Sequence, residues 1–239
     1  MRNVYKCIRE LIFLYKKYSR AEKVFFRDFI YDVDRKLVYL NNPKVACTSI
    51  KKSMFGERQN IHAYVPSVRE LSAEMNDYYK FTFVRNPYER LVSCFEDKCI
   101  QHPGDPCWEG FRNLLEVRNF NQFIIRIYLI PNEQAEAHFV RQYNLIYDKK
   151  GRCLVDFTGK VEHMNEEYKS IRERFNLLPL SHSNRAASLT DRNWMDYYTP
   201  FTAWLVYRKY KKDFIAFGYE DEYRKLKDYL KNRKYETRN

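Results

Sequence analysis

Short apolar runs at Phe25–Asp32, Lys36–Leu40, Tyr79–Val84 and Leu154–Thr158 are rich in aromatic and β-branched residues and bounded by Asn, Asp, Pro or Gly. Runs of that length and composition predict strands, the first two joined by a turn around Asp32–Arg35. Elsewhere the apolar period is helical. Helices are predicted from Thr48 or Ser49 to about Phe55, over Pro66–Met75, over 87–99, over Asn165–Phe175, and from the Thr199-Pro200 start to about Asp213. Within 111–147, Phe120, Phe123, Ile124, Ile127 and Tyr128 recur at helical spacing, as do Phe139, Tyr143 and Ile146, with Pro131 dividing the two sets. Residues 60–65, 101–110 and 178–190 are polar or Pro/Gly-bearing and read as loops. The two ends are amphipathic: residues 1–24 place Ile8, Leu11, Ile12 and Leu14 among basic side chains, and Glu220–Lys234 forms a charged helix with Tyr223, Leu226, Tyr229 and Leu230 on one face. Strands separated by helices indicate an α/β fold, a mostly parallel central sheet flanked by helices. No repeat or linker interrupts the 239 residues, so a single domain over 1–239 is expected.

Two strand ends carry chemistry. The first, Leu37-Val-Tyr-Leu, breaks at Asn41-Asn42-Pro43, presents Lys44 and passes into the helix near Thr48 or Ser49. A strand, a tight loop with a lysine and the start of a helix form an anion cradle. The helix offers unpaired N–H groups and the positive end of its dipole, and the lysine adds a point charge. The glycines of a nucleotide triphosphate loop, G-x-x-x-x-G-K-[ST], are missing. The second strand, 79–84, runs into Arg85-Asn-Pro-Tyr-Glu-Arg-Leu-Val-Ser93. Asn86 suits an N-cap, Pro87 the first helical position, and Glu89 the third residue after the cap. Arg85 then sits at the carboxyl end of a strand, where open α/β sheets bind ligands. Its guanidinium can hold a phosphate through two charge-assisted bonds.

The segment Asn42-Pro-Lys-Val-Ala-Cys-Thr-Ser49 resembles the 5′-phosphosulfate loop of the carbohydrate sulfotransferases related to the chondroitin, HNK-1 and heparan 2-O enzymes. Phe83-Val-Arg-Asn-Pro-Tyr-Glu-Arg-Leu-Val-Ser93 resembles their 3′-phosphate motif. Val155-Asp-Phe-Thr-Gly-Lys-Val-Glu162 is similar to a later strand, and Asp213-Phe-Ile-Ala-Phe-Gly-Tyr219 to the closing motif. Four motifs in the family's order cover roughly residues 30–220.

The resemblance implies a P-loop-like three-layer fold and transfer of a sulfuryl group from 3′-phosphoadenosine 5′-phosphosulfate to a carbohydrate hydroxyl, leaving adenosine 3′,5′-bisphosphate. It implies that Lys44 stabilises the leaving group and that Val45, Ala46, Cys47, Thr48 and Ser49 line the 5′ end of the donor. Arg85 and Ser93 would hold the 3′-phosphate, with Arg185 joining from a late loop, while Arg90 could join them but is expected in an ion pair on the helix surface. His62 stands where the heparan 2-O branch places its catalytic histidine. His138 and Gln142 match an H-x-x-x-Q element on the acceptor side, where i and i+4 spacing would put both on one helix face. Sulfate carries less charge than a terminal phosphoryl group, so a lysine and backbone amides can serve without a metal, and no carboxylate pair or zinc spacing stands out.

A net charge of +12 calls for an anionic partner, here the donor and a glycan acceptor that is itself polyanionic or lipid-linked. No apolar run reaches the length of a membrane span, Arg9 and Glu10 interrupt any signal-peptide core, and no N-x-[ST] sequon occurs, so a cytoplasmic location is expected, with peripheral membrane contact through the N-terminal helix as the minority reading. Reduced thiols are expected; Cys99 and Cys107 flank a loop that a disulfide could close. Two other classes remain in view. A P-loop-type kinase would bind ATP and need Mg²⁺, and a basic nucleic-acid binder would leave both strand-end motifs unexplained.

Overall fold

The computed structural model describes residues 12–13, 27–103, 114, 117–181 and 193–236. They divide into two compact units, one drawn from Phe26–Arg85 and Gln142–Thr190, the other from Met1–Phe25, Asn86–Arg141 and Asp191–Asn239.

The first unit holds the sheet: β1 (Phe29–Asp32), β2 (Leu37–Leu40), β3 (Ser67–Val68), β4 (Tyr79–Val84) and β5 (Phe157–Lys160), in the order β3-β1-β2-β4-β5. β2, β4 and β5 are parallel neighbours, in register at Leu37↔Tyr79 and Phe81↔Phe157. β1 pairs antiparallel with both β2 and β3, so the sheet is mixed with a parallel core. Side chains alternate along a strand. Ile30, Leu37, Tyr39, Phe81 and Phe83 thus share a buried cluster with Ile50 and Met54 of α1 (Cys47–Phe55) and with Tyr168 and Ile171 of a later helix, Met164–Arg174. Gly159 permits the tightest part of this layer. A Cβ there would lie 2.3 Å from the Phe83 ring and 2.7 Å from the Glu167 carboxylate.

The second unit is helical: α2 (Pro87–Phe95), continued by a π-helical turn over Glu96–Gln101, then α3 (Phe120–Leu129). Back in the first unit come α4 (Gln142–Ile146) and α5, the Met164–Arg174 helix. The second unit closes with α6 (Pro200–Ala216) and α7 (Glu222–Glu236). Asn86 caps α2 as its sequence predicts, accepting from the Tyr88 N–H at 3.0 Å. Thr199 and Thr202 form a reciprocal capping box at the start of α6. Phe120, Phe123, Ile124 and Ile127 form the buried face of α3, and Leu226 and Leu230 that of α7.

Four expectations are corrected. The helix expected over 66–75 is the edge strand β3 followed by a 3-10 turn at Ala73–Met75, because β1 offers a free edge and Tyr31 N–H donates to the Pro66 carbonyl. The fourth strand begins at Phe157 rather than Leu154, its register fixed by β4. Arg90, expected on the helix surface, is buried and donates to the Val140 and Ala137 carbonyls, each at 2.7 Å. His138 and Gln142 do not share a helix, since α4 begins at Gln142. Among the described residues no helix is long and apolar enough to cross a membrane. The N-terminal amphipathic segment lies outside them, apart from residues 12–13, as do Cys107 and Arg185.

Candidate active site

Because β2 and β4 run parallel, the segments that leave their carboxyl ends emerge at the same edge of the sheet. One is Asn41–Ala46, which feeds α1; the other begins with Arg85. A single side chain pins the two together. Gln142 is fully buried, and its Oε1 accepts from Asn42 Nδ2 and from the Arg85 N–H, both at 3.0 Å, while its Nε2 donates to the Arg85 carbonyl at 2.8 Å. Asn42 also donates to the Phe83 carbonyl at 2.9 Å. The Gln142 amide is thereby committed to the strand ends, a role its sequence match to an acceptor-side element does not signal.

The loop bends without glycine. Lys44 and Ala46 adopt φ of 71° and 61°, the left-handed region that costs an L-residue about 1–2 kcal/mol. Functional loops concentrate this kind of strain. Here the two residues turn the chain so that α1 begins at Cys47, earlier than the predicted Thr48 or Ser49, and Ala46 as N-cap offers no side-chain acceptor. Neither hydroxyl caps the helix. Thr48 Oγ1 meets His62 Nε2 at 3.0 Å, and Ser49 Oγ donates to the Ser181 carbonyl at 3.0 Å. Helix α1 thus presents first-turn N–H groups that no side chain of its own cap satisfies, with no acid in that turn, beside the half-buried Lys44. This is the electrostatics of an anion site.

His62 joins the same helix from a 3-10 turn, Ile61–Ala63. Lys51 Nζ lies 2.9 Å from His62 Nδ1, while Thr48 lies on the opposite ring nitrogen. Lys51 is 3% exposed, and burial pulls its ammonium below the ordinary lysine value, opposed by the nearby Cys47 and Asp28. A protonated Lys51 donates to Nδ1, which leaves the ring proton on Nε2, directed at Thr48. A neutral Lys51 accepts from Nδ1–H, and Nε2 then carries a lone pair. A protonated Lys51 therefore keeps Nε2 from acting as a base, and loss of that proton permits it. Lys51 is not among the site residues that the sequence predicts; its i+4 spacing from Cys47 and i+3 from Thr48 is the signal that could find it.

The other predicted residues fall as follows. Arg85 is half-buried at the end of β4, its backbone held by Gln142. Ser93 is half-buried on α2 in the helical unit. His138, also in that unit, pairs with Glu136 through Nδ1 at 2.9 Å. Cys47 and Cys99 are free thiols, and burial with the nearby Glu96 pushes Cys99 up to about 12. Among the described residues no group of three or more His, Cys, Asp or Glu could hold a metal ion.

Comparison with known proteins gives the family. A family model described as "Sulfotransferase family" matches residues 27–220. Carbohydrate sulfotransferase 11 of Mus musculus is 26% identical over 239 residues, covering 81% of this chain and 67% of the relative. Carbohydrate sulfotransferase 12 of Xenopus laevis is 26% identical over 245 residues, covering 77% and 58%, and carbohydrate sulfotransferase 9 of Homo sapiens is 26% identical over 241, covering 80% and 53%. The alignments thus span between 53% and 67% of these relatives' own length. No solved structure matches.

Proposed function

The chain belongs to the sulfotransferase family, and on that premise we propose that it moves the sulfuryl group of 3′-phosphoadenosine 5′-phosphosulfate to a hydroxyl of a carbohydrate acceptor. One observation carries the reading: two parallel strand ends are locked side by side by Gln142, one delivering Lys44 and an uncapped helix, the other delivering Arg85. A donor with phosphate at two positions needs two such cationic ends.

When bound, the donor supplies an activated sulfuryl group on a phosphate leaving group. Lys44 and the N–H groups at the start of α1 neutralise the charge that grows on the bridging oxygen, a stabilisation fixed in advance by the strained loop. Arg85 binds the 3′-phosphate and thereby selects against nucleotides that lack it; Ser93 is carried in this role from its motif alone, as is Arg185. His62 takes the proton of the attacking hydroxyl at Nε2, which requires the neutral form of Lys51. His138 remains the candidate for contact with the acceptor.

The test is transfer of labelled sulfate from the donor to a panel of glycans. The reading expects transfer without added Mg²⁺ and its loss in Lys44→Ala. Phosphoryl transfer from ATP that depends on Mg²⁺ would replace it with the kinase reading.

A further inference from the structure

In the helical unit, residues 135–140 form neither helix nor strand, yet their main chain is held from several sides. The Phe139 and Val140 N–H groups both donate to the Glu136 carbonyl, at 3.0 and 2.8 Å. Arg90 of α2 donates to the Ala137 and Val140 carbonyls, and the Tyr210 hydroxyl of α6 donates to the Phe139 carbonyl. Arg90 and Tyr210 are each 1% exposed. Burying a guanidinium is costly. Burial pulls Arg90 below the ordinary arginine value, opposed by Tyr210, Asp213, Cys94 and Glu136. A hydrophobic side chain would fill the space at less cost, so the arginine argues that this turn must keep one fixed shape.

The turn carries a carboxylate and an imidazole. Glu136 Oε2 accepts the His138 N–H at 2.8 Å, and both carboxylate oxygens lie 2.9 Å from His138 Nδ1. An ionised carboxylate only accepts, so the proton sits on Nδ1. Nε2 is left as the open edge of the ring, with no hydrogen bond to it among the described residues. The side chains of His138 and Glu136 are 21% and 15% exposed. His102 pairs with Asp97 in a similar way but stands 63% exposed, and His62 has a lysine instead of a carboxylate on Nδ1.

A carboxylate behind a neutral imidazole sets its tautomer and orientation. That pair bears one negative charge, so a phosphate or sulfate at Nε2 would meet repulsion from Glu136. A hydroxyl, in contrast, donates its proton to the lone pair without that penalty. A metal ion would need further ligands, and among the described residues no group of three or more His, Cys, Asp or Glu comes together.

We propose that Glu136 and Arg90 are positioning residues for the acceptor. Glu136 fixes the ring of His138, Arg90 fixes the turn, and Nε2 accepts a hydrogen bond from a hydroxyl of the carbohydrate. This deepens the proposed transfer reaction and rests on it. It also gives Arg90, which lies within the 3′-phosphate motif, a task on the acceptor rather than the donor.

The experiment measures transfer by the full chain against acceptor concentration at saturating donor, with an acceptor from the glycan panel. Affinity for adenosine 3′,5′-bisphosphate and melting temperature are measured on the same proteins. Glu136→Ala and His138→Ala should each raise the acceptor KM about three- to tenfold, the worth of one hydrogen bond, with kcat and bisphosphate affinity little changed. The double variant should be no worse than His138→Ala alone, because Glu136 acts through the ring; a purely structural glutamate would add a loss of its own. Arg90→Lys keeps the charge without the planar fork, and should raise the acceptor KM while bisphosphate binding holds. If it does not fold, the Glu136 and His138 variants decide. In long-range ¹H–¹⁵N spectra the neutral His138 ring should carry its proton on Nδ1 in the wild type and lose that preference in Glu136→Ala. An unchanged acceptor KM in Glu136→Ala, additive losses in the double variant, or a wild-type proton on Nε2 overturns the inference. So does weakened bisphosphate binding in Arg90→Lys with the acceptor KM unmoved. Absence of transfer by the wild type to every glycan refutes the sulfotransferase reading and the acceptor role with it, whereas transfer with an unmoved KM refutes the acceptor role alone.

Discussion

Replacing Gln142 by Met removes the amide that joins the two strand ends while keeping nearly the same shape. Three hydrogen bonds are lost, from Asn42 Nδ2 and the Arg85 N–H to Oε1 and from Nε2 to the Arg85 carbonyl. At about 1 kcal/mol net each they account for about 3 kcal/mol, and more where the abandoned groups stay buried. The thioether chain returns part of this by burying apolar surface in a site that is already dry. The expected net loss is about 2–4 kcal/mol, read as a lower urea midpoint at an unchanged slope. A second readout is specific to the site. Because Gln142 holds the backbone of Arg85, the variant should bind adenosine 3′,5′-bisphosphate more weakly, while its affinity for 5′-AMP changes less. A loss below about 1 kcal/mol together with unchanged affinity for the bisphosphate would refute the pinning role.

Two further predictions rest on buried lysines. Since His62 Nε2 gains its lone pair as Lys51 loses a proton, turnover should rise with pH through the depressed lysine titration. Lys51→Met should remove that limb and retain activity toward lower pH, and an identical profile in a kcat measurement across pH would contradict the coupling. Burial, reinforced by Arg141, pulls Lys209 down from 10.5 to about 7. Between those values the unfolded chain binds the extra proton, so stability relative to Lys209→Met should rise with pH across that window, by at most about 1.4 kcal/mol per pH unit. Below the window both states are protonated and the difference should be flat. A difference that stays flat across that window in urea titrations would show that Lys209 keeps its proton when buried.

Local signals made much of this site readable. The strand of residues 37–40 and the Asn86-Pro87 start of α2 depend on neighbours in sequence, and they form where their apolar period and cap place them. Non-local pairing decided what was misjudged. Pro66 looks like a helix opener, yet the open edge of β1 takes residues 67–68 as a strand. Phe157 starts β5 because β4 fixes the register and Gly159 must pass the Phe83 ring. The bend at Lys44 and Ala46 carries no glycine to announce it, so the sequence predicts a helix start one residue or two late. Gln142 and Lys51 meet residues distant in sequence or across a turn, and a single sequence contains no sign of those partners until the sheet is assembled.

The central claim is that Arg85 gives the nucleotide site its need for a 3′-phosphate. Calorimetric titration of the wild type and Arg85→Ala with adenosine 3′,5′-bisphosphate and with 5′-AMP tests it directly. The account predicts tighter binding of the bisphosphate by the wild type and loss of that preference in the variant, with 5′-AMP affinity little changed. Equal affinity of the wild type for both nucleotides, or a preference that survives in Arg85→Ala, would contradict it.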